Sequence, residues 1–223
     1  MSHNPNKIEA LLFDLDGTLI DTAADFIYVL NTQRLKHGFD ALDQQSIRNT
    51  VSNGARALTQ LAFGGVEGEE QFENYRAELL DEYMAVVGDH AKLFEGMNEV
   101  LLSCESQNIP WGIITNKPRK FSEELLKKLN LNTRCSVLIC ADDVTHPKPA
   151  PESMFLAAQK LGIQLRKSVY IGDHERDIAA GNAADMITVA VEYGYIENKT
   201  TLVQWSADHI IQHPSQLKSL FLV

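Results

Sequence analysis

Two carboxylates separated by one residue stand at the end of an apolar run, in Leu11-Leu12-Phe13-Asp14-Leu15-Asp16-Gly17-Thr18-Leu19. Along an extended strand, residues i and i+2 point to one side, so Asp14 and Asp16 present their side chains together. Gly17 lets the backbone turn sharply behind them. An isolated D-x-D is equally well a polar strand exit, but three further polar clusters recur along the chain. Thr115 and Asn116 end Trp111-Gly112-Ile113-Ile114, Lys148 lies in His146-Pro147-Lys148-Pro149, and Tyr170-Ile171-Gly172-Asp173 is followed by Asp177. If Asp14, Asp173 and Asp177 meet, their charges repel unless a hard cation with oxygen ligands lies among them.

The elements that must carry these groups are short apolar runs at residues 10–13, 111–115, 137–140, 169–171 and 187–191, most of them rich in Val or Ile. They predict buried parallel strands. Helical spacing at residues 123–129 and 153–161 alternates with them, the pattern of an open α/β sheet with right-handed crossovers on both faces. Three of the polar clusters then stand at or just past strand ends and the fourth in the loop after another. They converge on the carboxyl edge of the sheet, where such folds bind ligands.

Residues 21–89 break the alternation. Phe26, Ile27 and Leu30 fit one helical stripe and Phe72, Tyr75, Leu79 and Tyr83 another, with Phe63-Gly64-Gly65-Val66-Glu67-Gly68 as punctuation. This stretch holds 12 acidic and 5 basic residues, so most of the chain's formal charge of -10 lies within it. A largely solvated helical subdomain is expected.

That charge, from 20 Lys and Arg against 30 Asp and Glu, argues against nucleic acid and against an anionic membrane as partners. No run reaches the ~18 apolar residues of a bilayer span, and the N-terminal residues lack an apolar leader segment. Three cysteines, Cys104, Cys135 and Cys140, show no C-x-x-C spacing and fit reduced thiols. The expected location is cytoplasmic. The residues set no oligomeric state, and a monomer is compatible with them.

In order and spacing, the four clusters resemble the motifs of the haloacid dehalogenase superfamily: D-x-D-G-T, a strand-terminal Ser or Thr, a loop Lys, and a G-D-x-x-x-D acidic pair. The resemblance implies a Rossmann-like α/β core, residues 1–20 and 92–223, with a small all-helical cap, residues 21–91, inserted after the first strand. It implies a phosphoric monoester hydrolase in which Asp14 attacks phosphorus and becomes an aspartyl phosphate. Asp16 then protonates the leaving oxygen and later activates water, so its surroundings are expected to disfavour charge. Mg²⁺ is the implied cofactor, held by Asp14, the Asp16 carbonyl and Asp173, with Asp177 binding it directly or through water. Thr115 and Lys148 are assigned to phosphoryl oxygens, with backbone N–H groups from Leu15 to Thr18 and at Asn116 completing the cradle.

Around this set, Arg56 either grips a substrate carboxylate or is a solvated helix residue. Lys117 and Arg119 either touch substrate or decorate a helix start, and decoration is the expectation. His174 stands where a small hydroxyl residue is common and has no assigned role, and Asp185 replaces a frequent Gly as a local turn variant. A cap closing over the site favours a small phosphorylated metabolite over a phosphoprotein. Thr115-Asn116-Lys117-Pro118, Ala141-Asp142-Asp143-Val144 and Tyr193-Gly194-Tyr195 are similar to the phosphoglycolate phosphatase branch. The Ser52-Asn53-Gly54 turn, Lys92-Leu93-Phe94-Glu95-Gly96-Met97, Trp111-Gly112 and Gly194-Tyr195-Ile196 are similar to phosphatases of N-acetylmuramic acid 6-phosphate. The latter substrate is the expectation, with phosphoglycolate the alternative, a sugar phosphomutase or a dehalogenase behind them, and a non-enzymatic binding module last.

Overall fold

The computed structural model describes residues 8–222. Residues 1–7, part of the basis for the cytoplasmic expectation, lie outside the described residues. The chain runs β1 (Ala10–Phe13), β2 (Ile20–Asp21), α1 (Ala23–Lys36), α2 (Gln44–Thr50), α3 (Gly54–Phe63), α4 (Glu70–Val86), β3 (Lys92–Leu93) and α5 (Met97–Ser106). It continues as β4 (Trp111–Ile114), α6 (Arg119–Lys128), β5 (Val137–Ile139), α7 (Glu152–Leu161), β6 (Ser168–Gly172), α8 (Glu175–Ala183), β7 (Ile187–Val191), β8 (His209–Ile211) and α9 (Gln216–Phe221).

Six strands form one parallel sheet in the order β5-β4-β1-β6-β7-β8. β1 is central, with Leu11 paired to Trp111 on one side and to Val169 on the other. The strand order reverses there, and the crevice beyond the strand ends at such a point is where open sheets place ligands. All four β1 residues are fully buried, as a strand covered on both faces requires. Leu11 and Phe13 join one hydrophobic cluster, while Ala10 and Leu12 pack with Met154, Ala157 and Tyr170 on the opposite face.

Five of these strands follow the apolar runs. The sixth, β8, carries His209, leaves Ile210 exposed and buries only Ile211, so its edge position gives little periodic signal. A two-stranded antiparallel ribbon, with Ile20 opposite Leu93 and Asp21 opposite Lys92, was also not visible in the sequence because each strand is two residues long.

The ribbon marks both passages between the sheet and α1–α4. Phe26 and Leu30 of α1 and Phe72, Leu79 and Tyr83 of α4 are buried, and Phe26 stacks on Tyr83 with ring centroids 4.2 Å apart. Most of these residues share one continuous hydrophobic cluster with Leu11 and Phe13 of the sheet. The acidic surface of the helices thus covers an apolar interior that continues into the rest of the molecule. Asp25 closes the second passage, accepting from the backbone N–H groups of Gly88 at 2.8 Å and His90 at 2.7 Å.

Candidate active site

Asp14 follows the last residue of β1, Thr115 the last of β4 and Asp173 the last of β6, so the parallel register brings them to one sheet edge. Asp14, Asp173 and Asp177 are buried, and one carboxylate oxygen from each lies within 4.8 Å of the others. Lys148 is the cation among them. Its three N–H donors are shared among four oxygens: Asp14 Oδ1 at 2.8 Å, Asp177 Oδ1 at 2.6 Å, the Ile114 carbonyl at 3.0 Å and the Tyr170 hydroxyl at 2.8 Å. Asn116 fixes that lysine's backbone, donating to its carbonyl at 2.9 Å and accepting from its N–H at 3.1 Å.

Asp173 accepts from Thr18 Oγ1 at 3.2 Å, the Tyr195 N–H at 2.9 Å and Ser52 Oγ at 3.4 Å. Side chains are excluded around it. Gly17, at φ +84°, would place a Cβ 2.2 Å from Asp173 Oδ2, and a Cβ on Gly194 would lie 2.3 Å from Asp173 Cβ. Asp177 Oδ2 accepts from the N–H of His174, the residue that caps α8. Burial first, and then repulsion from Asp14 and Asp177, pushes the Asp173 carboxyl up. Burial likewise raises Asp177, although Lys148 opposes it.

Asp16 Oδ1 accepts from Thr22 Oγ1 at 2.6 Å and from Lys117 Nζ at 2.9 Å. A buried ammonium therefore stands on this carboxylate. Lys117 is itself held between the Phe26 ring, 5.1 Å from its Nζ, and the Tyr83 ring at 4.7 Å. Above Asp14 and Asp16 opens a cavity of about 420 Å³. Phe26, Val51, Leu80, Tyr83 and Phe121 give it apolar walls, and Arg56, Arg76, Lys117, Lys120 and Arg176 make it basic within an acidic chain.

Residues 11–191 match the family model of haloacid dehalogenase-like hydrolases. This chain belongs to that family. It is 41% identical over 211 residues to an N-acetylmuramic acid 6-phosphate phosphatase of Pseudomonas aeruginosa, covering 95% of this chain and 93% of the relative. A phosphoglycolate phosphatase of Xanthomonas campestris pv. campestris is 37% identical over 208 residues, covering 93% and 94%. Among solved structures, a predicted phosphoglycolate phosphatase from Haemophilus somnus superposes with a TM-score of 0.85 over 96% of this chain and 97% of that one. Its 22% identity speaks to the fold alone.

Within this haloacid dehalogenase-like hydrolase, the acidic triad fits a divalent cation: three buried hard-oxygen donors crowd together, and burial, with repulsion from the neighbouring carboxylates, raises two of them. The Thr18 hydroxyl is turned to Asp173. One reading needs correction. Lys117 is no decoration, being buried on Asp16, whereas Arg119 does stand at a helix start, paired with Asp143 and Glu123. Arg56 lines the cavity, ion-paired with Glu67 at 2.7 Å. His174 serves α8 as its cap, accepting from the Arg176 N–H at 3.3 Å. Burial, then Arg176, pulls its imidazole down to about 4. Asp185 adopts φ 58°, the left-handed conformation in which glycine is unstrained.

Sequence reasoning missed Ser52 and Arg176 as site residues. In the sequence Ser52 reads only as part of the Ser52-Asn53-Gly54 turn. The spacing held a signal for Arg176, since it immediately precedes Asp177 in the first turn of the helix that carries it.

Proposed function

We propose that this phosphoric monoester hydrolase uses an aspartyl-phosphate intermediate on Asp14 to remove phosphate from N-acetylmuramic acid 6-phosphate. The observation that carries the substrate reading is the cavity: apolar walls and several cationic side chains above a nucleophilic carboxylate. An N-acetylated sugar acid has apolar faces to lay against Phe26, Leu80 and Tyr83 and a carboxylate for Arg56, and its phosphate reaches Asp14. Phosphoglycolate offers the two anionic groups but almost no apolar surface. In this reading α1–α4, residues 21–91, form the cap over a core of residues 1–20 and 92–223.

Asp14 Oδ1 is held by Lys148, which leaves Oδ2 for attack on phosphorus. Thr115 Oγ1 accepts from the Lys117 N–H at 3.1 Å, and its own proton is free for a phosphoryl oxygen. Asp16 Oδ1 is fixed by Thr22 and Lys117, so Oδ2 is the atom that exchanges a proton with the leaving oxygen and then with the hydrolytic water. Mg²⁺ would be held by Asp14, Asp173 and Asp177, with the Asp16 carbonyl, and would supply charge neutralisation for the phosphoryl group.

The test is release of inorganic phosphate from the two candidate substrates under matched conditions. A kcat/KM at least ~10-fold higher on N-acetylmuramic acid 6-phosphate is expected. The reverse preference overturns the substrate reading, and an isomeric sugar phosphate in place of inorganic phosphate overturns the hydrolytic one.

A further inference from the structure

Most cations lining the cavity already have an acidic partner. Lys117 is engaged by Asp16, Arg56 by Glu67 and Arg76 by Glu73. Lys148, below them, is engaged by Asp14 and Asp177. Lys120 and Arg176 make no ion pair among the described residues; Lys120 lies over the Phe121 ring at 4.6 Å, whereas the Arg176 guanidinium makes one hydrogen bond, from Nη2 to the Ser52 carbonyl at 2.5 Å. Its Nε–H is buried without a partner. A guanidinium offers five donors in a planar fork, and a buried donor left unmet is unfavourable.

The position of this group narrows what could meet those donors. Arg176 lies on the core helix α8, three residues after Asp173 and one before Asp177. Its reach ends on Ser52, in the turn between α2 and α3, and Ser52 in turn donates to Asp173. The arginine therefore spans the seam between helices and sheet directly beside the acidic triad and lines the cavity above Asp14. A phosphoryl group arriving there brings oxyanions toward three carboxylates whose lysine is already shared between two of them. A planar cation with unmet donors matches that need, because the fork geometry suits phosphate oxygens.

We propose that Arg176 is a phosphoryl-binding residue, anchored through Nη2 to the Ser52 carbonyl and offering its remaining donors to a phosphoryl oxyanion over Asp14. This deepens the phosphomonoesterase reading and rests on it. Binding of the anion also ties the Ser52 turn to the acidic triad, so the helical segment is held down by the group being hydrolysed.

Arg176→Gln and Arg176→Lys test the proposal by two readouts. The first is equilibrium binding of inorganic phosphate, with Mg²⁺ present, to each variant and to the unaltered protein. The second is steady-state kinetics on the sugar acid phosphate and on p-nitrophenyl phosphate, which share only the phosphoryl group. Arg176→Gln should weaken phosphate binding and raise KM about 10- to 50-fold on both substrates, with kcat within about 3-fold. Arg176→Lys, which retains the charge, should recover much of the affinity and keeps the test open if Arg176→Gln does not fold. Unchanged phosphate affinity in both variants would overturn the proposal and leave Arg176 as a clasp for Ser52. A loss confined to the sugar acid phosphate would overturn it too, assigning the guanidinium to the second anionic group. If the unaltered protein hydrolyses no phosphomonoester, the phosphomonoesterase reading fails, and the binding measurement still decides Arg176.

Discussion

The Nζ of Lys117 stands 2.9 Å from Oδ1 of Asp16, joining the residue three past the end of β4 to the residue three past the end of β1. Both side chains are largely buried, and the pair lies against Phe26 and Tyr83 of the helical segment. Removing one partner of a buried pair leaves the other charge uncompensated, at roughly 3 kcal/mol or more. Lys117→Met should therefore lower stability by about 3 kcal/mol in urea unfolding. Adding Asp16→Asn should restore part of the loss, because the orphaned charge is gone. Simple additivity of the two single changes would show that the pair is not coupled.

Asp14→Asn is nearly isosteric and removes the nucleophile. Inorganic phosphate release should fall below detection, and far-ultraviolet circular dichroism should be unchanged. The thermal midpoint should stay level or rise, because one of three crowded carboxylates is neutralised while Lys148 keeps Asp177. Residual turnover above about 1% of the unaltered protein would assign the nucleophile elsewhere.

The residues that a strand end must present were legible: Asp14, Thr115 and Asp173 follow buried apolar runs, and a parallel register brings such ends together. Lys148 was legible through its motif. What stayed hidden depends on contacts far apart in sequence. Lys117 reads as a helix-start lysine until Asp16, Phe26 and Tyr83 surround it. The contact of the Thr18 hydroxyl with Asp173 joins residues 155 apart and has no local signal. The β2–β3 ribbon and β8 are too short, or too exposed, to impose a period-two pattern of their own.

The acidic triad makes stability respond to divalent cations. A ligand that binds only the folded state adds about 2.7 kcal/mol at one hundred times its dissociation constant. Mg²⁺ should raise the thermal midpoint of the chelated protein by several degrees and restore its activity. Ca²⁺ should restore little activity because its coordination shell is larger and looser. Asp173→Asn should abolish the Mg²⁺-dependent shift, and full activity after exhaustive chelation would refute the metal requirement.

Glu78 of α4 joins Gln33 and Lys36 of α1 and His37 at its C-terminal end. Burial pushes its carboxyl up, but these three partners outweigh it and bring it from 4.5 down to about 2. A depressed carboxyl contributes stability above its unfolded value and loses it as pH falls toward the folded one. The stability gap between the unaltered protein and Glu78→Gln should thus be full near pH 6, at about 0.3–1 kcal/mol for a partly exposed cluster, and shrink between about pH 5 and pH 2. A gap independent of pH over that range would mean that the pairing contributes nothing to folding.

Arg56 tests whether the helical segment chooses the substrate. It lies in the first turn of α3, lines the cavity, and is held by an exposed Glu67 that competes weakly in water. A substrate carboxylate inside the cavity is the better partner, since both groups then share a drier setting. Arg56→Ala should lower kcat/KM on the carboxylated sugar phosphate about 10- to 100-fold, corresponding to ~1.5–3 kcal/mol for a charge-assisted hydrogen bond. p-Nitrophenyl phosphate lacks the carboxylate, so its turnover should change less than about 3-fold. Glu67→Gln should leave both substrates intact or favour the carboxylated one slightly, because the competing anion is removed. Equal losses on both substrates in Arg56→Ala would make the arginine a support for the helical segment, and no loss on either would return it to a solvated surface role.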